Sequence, residues 1–440
     1  MVGSFMLRHL PWLFLACVPA VAFAQTPVKE SWVVTTDLWG TPLYQGLTLE
    51  RTGKRLGGEL DGDGVEGERT GSDLRFVVTD SNKVQSSYTG KVSGDTLRGI
   101  ADMPDTNNPK TRVKHAFTAR RIPERPAGAP RRHDFKPTTW SNEFSASRAP
   151  VLTLWSGDTL KTTTLDSGGV DEHGVTQALF GNPQTGPFFI ADARPGDMLV
   201  IHLKRLKLNR RHADSLDSIV GRALTPALAA KATELGKPVR WTLDLERGVA
   251  SPESPTERLK DFTVPLRPML GGLAVAPGFG LPAFSTGDTG RFGGNMDFNE
   301  VVEGNTVSLP VFQPGALLYF GDAHAAQGDG ETSQYALETS MEVELTVEVV
   351  RGKAPSMPRV ESPTHLMVLG QAGSLDDALR SATSGMTQWL EQDYGLTLSE
   401  SAQVLGSSVQ YVVANLAGRS VGVVAKLDKA RLAKLRRGEK

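Results

Sequence analysis

The clearest periodic signal in the chain lies between Met341 and Val350, where Val343, Leu345, Val347 and Val349 alternate with Glu342, Glu344 and Glu348. Successive side chains of a strand point to opposite faces, so this spacing predicts a half-buried strand with a solvated glutamate face. Apolar runs at 150–155 and 198–203 also read as strands. Each adjoins a Gly-Asp turn, Gly157-Asp158 and Gly196-Asp197, whose aspartates are read as ordinary turn residues. Further upstream, the stretches 31–39, 42–50, 73–78 and 87–92 carry β-branched and aromatic residues. Turn-forming segments such as Arg51-Thr52-Gly53-Lys54, Gly71-Ser72-Asp73 and Ser93-Gly94-Asp95 separate or flank them. That rhythm predicts a small β-meander over residues 26–122. Asp61-Gly62-Asp63-Gly64 lies within it, lacks the closing glutamate of a calcium loop, and is read as a tight turn.

The period changes towards the C-terminus. Leu375, Ala378, Leu379, Ala382, Met386, Trp389 and Leu390 fall at helical spacing, opened by Ser374 with Asp377 and closed by Gly395. Thr397-Leu398-Ser399-Glu400 is the capping box of a second helix. Between the meander and the rest, residues 123–132 are rich in proline and glycine and poor in apolar side chains, which marks a linker. The expected architecture is mainly β (α+β). A small β-meander domain (26–122) is followed by a β-rich domain (133–430) that ends in a helical hairpin.

One apolar run belongs to neither domain. Arg8 and His9 precede Leu10 to Val21, and Ala22-Phe23-Ala24 supplies a small-x-small cleavage pattern before Gln25. Residues 1–24 are therefore expected to be a secretory signal peptide, cleaved near Ala24/Gln25, and the mature protein to be exported, periplasmic or secreted. Cys17, the one cysteine, lies inside this segment, so the mature chain offers no thiolate nucleophile and no disulfide. No other segment reaches the length of a membrane span, so stable membrane insertion is not expected. The 48 basic and 49 acidic residues nearly balance, without a basic tract, which argues against nucleic acid as a partner. The 46 glycines and 27 prolines suit a turn-rich β protein.

Candidate chemistry concentrates in Gly321-Asp322-Ala323-His324-Ala325-Ala326-Gln327-Gly328-Asp329-Gly330-Glu331. Asp322 and His324, like Asp329 and Glu331, sit two apart, so extended backbone turns each pair to one face. Carboxylates with one imidazole suit zinc, or a mixed site with a harder second ion such as calcium. Gly293-Gly294-Asn295-Met296-Asp297 adds Asp297 and Asn295 at the same alternate spacing after a glycine pair that permits close backbone approach. Asp297, Asp322, His324 and Asp329 are the expected metal ligands, with an Asx-turn as the bland reading of Asp297. Glu338 falls on the same parity as the solvated glutamates of the 341–350 strand, which places it towards solvent. Asp166, Asp171 and His173 lie in a polar loop, while His133, His202, His212 and His365 have no partners at ligand spacing.

These stretches, in this order, resemble the acetamidase/formamidase family. The likeness also includes Gly181-Asn182-Pro183-Gln184-Thr185-Gly186, the Val307–Leu318 segment and Tyr335-Ala336-Leu337-Glu338-Thr339, and it spans about residues 135–430. The resemblance implies a hydrolase of the carbon–nitrogen bond in small linear amides, formamide- or acetamide-like, that releases ammonia and a carboxylate by metal-activated water. It implies Glu338 or Glu331 as the proton-handling carboxylate, with Asn295 as a substrate contact. The meander domain and the 210–236 stretch depart from the family pattern and bear on specificity. Two other classes stay open: an exported hydrolase of another amide or an ester on the same scaffold, and a non-catalytic periplasmic binding protein. A homo-oligomer is compatible with all three.

Overall fold

The computed structural model describes residues 27–435 together with Met1. The apolar run from Leu10 to Val21, the cleavage position and Cys17 lie outside the described residues. Eight strands, Val28–Leu38, Thr41–Thr52, Arg55–Leu60, Asp63–Thr70, Asp73–Thr79, Gln85–Ser93, Thr96–Pro104 and Arg112–Arg121, pair antiparallel in sequence order. The first also pairs with the last, from Trp32↔Arg121 to Thr36↔Phe117. The meander therefore closes into a barrel, which leaves no free sheet edge. Alternate side chains fill its interior. Trp32, Leu47, Leu49 and Leu97 are fully buried, and Tyr88 stacks on Phe76 with ring centroids 4.7 Å apart.

Beyond the linker, two sheets of twelve and nine strands share one core. The strand Met341–Val350 lies in the nine-stranded sheet, with Val343, Leu345 and Val347 fully buried and its glutamates turned outward. Its neighbour Met198–Leu208 runs longer than the apolar stretch at 198–203, because an irregularity between Leu203 and Arg205 restarts the alternation. The facing sheet contributes Phe188, Leu270, Leu273, Leu318 and Phe320 to the same core. Asp158 and Asp197 do occupy turns, but both are buried. Asp158 accepts from the Arg131 and Trp155 amides, and Asp197 accepts from Arg351 and two amides.

The helix Leu375–Tyr394 opens with Ser374 accepting from the Asp377 amide and ends at Gly395 in the left-handed region, φ 68°. The helix Leu398–Ser408 carries the Thr397/Glu400 capping box. Met386, Trp389 and Leu390 pack the helical pair onto the nine-stranded sheet through Val368 and Leu427. Two strands after the helices, Gln410–Asn415 and Val421–Asp428, lack a strong alternation and were not expected. They extend that sheet at one end and deliver Asn415 to the site described next. Among the described residues no helix is long and apolar enough to cross a membrane.

Candidate metal centre

The strand Leu318–His324 is buried along its whole length and forms the spine of the site. It pairs on one side with Met269–Ala274 and on the other with the two-residue strand Glu338–Thr339, where His324 faces Glu338 directly. Ser340 separates Glu338 from the strand that follows, so the parity of residues 341–350 does not extend back to it. Glu338 is buried, not solvated, which corrects the reading from alternation.

Five titratable side chains converge here, and all are buried: Asp297, Asp322, His324, Glu331 and Glu338. His324 Nε2 lies 3.6 Å from Asp322 Oδ1 and 3.3 Å from Glu338 Oε1. Ligand atoms of Asp297, Asp322 and His324 lie within 4.8 Å of one another, as do those of His324, Glu331 and Glu338. Gln327 Oε1 sits 2.8 Å from His324 Nδ1, and the Gln327 amide nitrogen donates to the Asp297 carbonyl. The glutamine oxygen accepts from Nδ1, so Nε2 is the ring atom turned towards both triads.

Asp329 is not part of the cluster. Its side chain is exposed and accepts from Asn299 Nδ2 at 2.8 Å, so its assignment as a ligand is corrected. The reason is local backbone. Gly330 at φ 82° and Glu331 at φ 44° break the extended alternation, which sends Glu331 inward and leaves Asp329 outside. Asp297 and Asp322 also adopt left-handed backbone, φ 42° and 54°. Three non-glycine residues in this sparsely populated region, each bearing a converging carboxylate, are strain held by the surrounding structure.

Several supporting residues complete the centre. Asn295 and Asn415 both donate to Asp297 Oδ2 at 2.5 Å, and Asn182 donates to Asn295 Oδ1 and Asp322 Oδ2 at 2.8 and 3.1 Å. Asn295 lines the cleft with its own amide engaged by Asp297 and Asn182. Ser167 hydrogen-bonds Glu338, and the Ala336 amide donates to Glu331 and Glu338 at 3.2 Å each. Arg210 reaches the same place: its Nη2 lies 2.7 Å from Asp166 and donates to the Glu338 carbonyl. Gly271 leaves room for the carboxylates, since a Cβ there would stand 2.5 Å from Asp297 Oδ1 and 2.6 Å from Asp322 Oδ2. Asn182 and Asn295 lie in stretches that the sequence singled out, whereas Asn415 and Gly271 carry no local signal.

The electrostatics are those of a crowded anionic cavity. Burial pushes Asp297 and Glu331 well above the usual carboxylate range, and Asp322 and Asp297 respectively add to the effect. Burial also raises Glu338, against the opposing pull of His324. Burial alone would lower the imidazole of His324, but Glu338 and Asp322 outweigh it and hold the ring well above its ordinary value. Asp297 Oδ1, Asp322 Oδ1, His324 Nε2 and Glu338 Oε2 are buried without a hydrogen-bond partner. Leaving buried polar atoms unmade costs about 1–3 kcal/mol each, more for charged groups, and a shared cation satisfies them together. The donor set therefore fits a divalent metal. Asp322, Glu331 and Glu338 open onto a cleft of about 310 Å³, with Phe180, Tyr335 and Arg419 among its other lining residues.

Together these features define a two-sheet β protein with a buried carboxylate–imidazole centre at the base of a small cleft. The comparisons with known proteins agree with that class. Residues 282–410 match the model of the Acetamidase/Formamidase family. A putative formamidase of Schizosaccharomyces pombe is 36% identical over 75 residues, which is 17% of this chain and 18% of that protein. An acetamidase of Mycolicibacterium smegmatis is 38% identical over 61 residues, 14% of this chain and 15% of that one. The chain thus spans under a fifth of the curated relatives it matches. The structural match is wider. An acetamidase from Bacillus halodurans superposes with a TM-score of 0.59 at 26% identity, covering 69% of this chain and 99% of that one. One from Yersinia enterocolitica gives 0.60 at 26% identity, covering 70% and 95%. Over these residues and in this fold the chain is similar to the acetamidase/formamidase family.

Proposed function

We propose that the protein is an amidohydrolase that cleaves the carbon–nitrogen bond of small linear amides at the 297/322/324/331/338 centre. The observation that carries this reading is the convergence of four unpartnered, buried ligand atoms, on Asp297, Asp322, His324 and Glu338, beside a cleft of small-molecule size. Asp297, Asp322 and His324 would hold a divalent cation, with zinc the best match to one imidazole and hard oxygens. Bound there, the ion supplies polarisation of the amide carbonyl and a water of lowered pKa. Glu338 and Glu331 line the cleft, and burial raises the pKa of both carboxyls above the ordinary range. A carboxylate so tuned takes a proton from the attacking water and returns it to the leaving nitrogen. Gln327 keeps His324 in the tautomer that presents Nε2, while Asn182, Asn295 and Asn415 fix the orientation of Asp322 and Asp297. Formamide and acetamide are the first substrates to test, and the protein is taken to act after export.

The test is ammonia release from a panel of linear amides, with and without a chelator, alongside elemental analysis. His324→Ala should lose metal and activity together. Glu338→Gln should keep the metal and lower turnover by ~10²–10⁴-fold. Full metal content and unchanged turnover in His324→Ala would overturn the assignment, and normal turnover in Glu338→Gln would move the proton-handling role to Glu331. N-terminal sequencing of the native protein checks export, with Gln25 as the expected first residue.

A further inference from the structure

A second cleft, of about 370 Å³, lies between the outer face of the barrel and the two-sheet domain. On the barrel side, Thr96 pairs with Arg120 and Arg98 with Thr118 on adjacent strands. These four residues are exposed, whereas the intervening Leu97 and Ala119 point into the barrel. Arg98 and Arg120 are therefore diagonal neighbours on one face, which places them about 7–8 Å apart at the backbone. Across the cleft lie Arg148 and the ring of Phe189, whose centroid is 5.1 Å from the Arg120 guanidinium carbon. Leu317 and Pro150 extend the apolar wall.

The charge pattern is one-sided. Among the described residues no aspartate or glutamate lines this cleft, and neither Arg98 nor Arg120 has an ion-pair partner. Arg148 donates to the Trp140 carbonyl and likewise lacks a carboxylate partner. Like charges gathered in a concave, partly apolar wall focus a positive potential that an incoming anion relieves. A guanidinium fork pairs with a carboxylate through two parallel hydrogen bonds, and the apolar wall favours an anion that carries an apolar body over a fully hydrated one.

We propose that this cleft binds a small organic carboxylate, with its charged end on Arg120 and Arg98 and its apolar body against Phe189 and Leu317. The site exists only where the barrel meets the two-sheet domain, so the barrel forms half of it. The proposal does not rest on the amidase reading. The strand that starts beside Leu317 runs to His324, and at roughly 3.3 Å per residue the two sites are about 20 Å apart along it.

The experiment is isothermal titration calorimetry on the full chain with hexanoate, hexanamide and inorganic phosphate. Hexanoate should bind, hexanamide, titrated into the His324→Ala variant so that it is not hydrolysed, should bind at least about tenfold more weakly at this site, and phosphate should compete poorly. Arg120→Gln should weaken hexanoate by about tenfold or more while leaving the thermal midpoint unchanged, and Arg98→Gln should weaken it less. His324→Ala, which disables the other centre, should leave the affinity intact. Unchanged hexanoate affinity in the Arg98→Gln/Arg120→Gln double variant would overturn the proposal. So would loss of binding in His324→Ala, since the carboxylate would then sit at the buried centre, and so would phosphate binding as tightly as hexanoate.

Discussion

Arg210 offers the sharpest test of how the buried centre is held. Its side chain is 2% exposed and lies 2.7 Å from Asp166, itself 10% exposed. The same guanidinium donates to the Glu338 carbonyl at 3.3 Å, to Thr339 Oγ1 at 3.1 Å and to the His212 carbonyl at 3.2 Å. It joins the strand that carries Glu338 to the loop that carries Ser167 and Asn182. Arg210→Met keeps most of the volume but leaves the Asp166 carboxylate buried, accepting from the Val170 amide. Removing one member of a buried ion pair costs about 3–5 kcal/mol, because the other charge stays desolvated. Against a typical stability of about 5–15 kcal/mol, that is roughly a fifth of the total or more. Urea unfolding of the variant should show a loss of unfolding free energy of that size, and amide turnover should fall because Glu338 loses its backbone anchor. Adding Asp166→Asn removes the stranded charge, so the double variant should regain part of the loss. A cost below about 1 kcal/mol for Arg210→Met, or strict additivity of the two substitutions, would refute the reasoning.

Gly271→Ala places a methyl within 2.6 Å of both Asp297 and Asp322, so the variant should lose metal on elemental analysis while its circular dichroism stays native. Tyr88 in the barrel has its phenol pushed up to about 12 by burial. A raised folded pKa means its contribution is intact below the ordinary value of about 10 and is lost as pH climbs through 10 towards 12. At about 1.4 kcal/mol per unit, roughly 3 kcal/mol of barrel stability should disappear over that window. Phenolate absorbance should accordingly show Tyr88 ionising with unfolding, and its ionisation in the folded barrel near pH 10 would contradict the burial argument. Limited proteolysis should cut first in the exposed stretch 123–128, since Arg131 is tied down through its amide to Asp158. A chain starting at His133 should unfold cooperatively, and failure to do so would make the barrel part of the same folding unit.

What the sequence by itself determined are the features governed by short-range rules. Alternation over 341–350 set the faces of that strand, because a two-residue period and one buried side leave a single register. Ser374, Gly395 and the Thr397/Glu400 pair set the helix ends, because caps satisfy neighbouring backbone groups and need no distant partner. The spacing of Asp322 and His324 brought both to one place, and the glycine pair before Asn295 and Asp297 marked the second arm of the centre. Only the tertiary structure decided the rest. Closure of the meander depends on Trp32–Thr36 pairing with Phe117–Arg121, a contact between segments some 80 residues apart that no local pattern encodes. Glu338 turned inward and Asp329 outward because backbone breaks at Ser340 and at Gly330–Glu331 override alternation. Asn415, Gln327, Arg210 and Gly271 gained their roles only when strands distant in the chain came side by side. Each is an ordinary residue in its own neighbourhood, and it acquires chemistry because folding buries it against a crowded set of carboxylates that must be oriented, neutralised and given room.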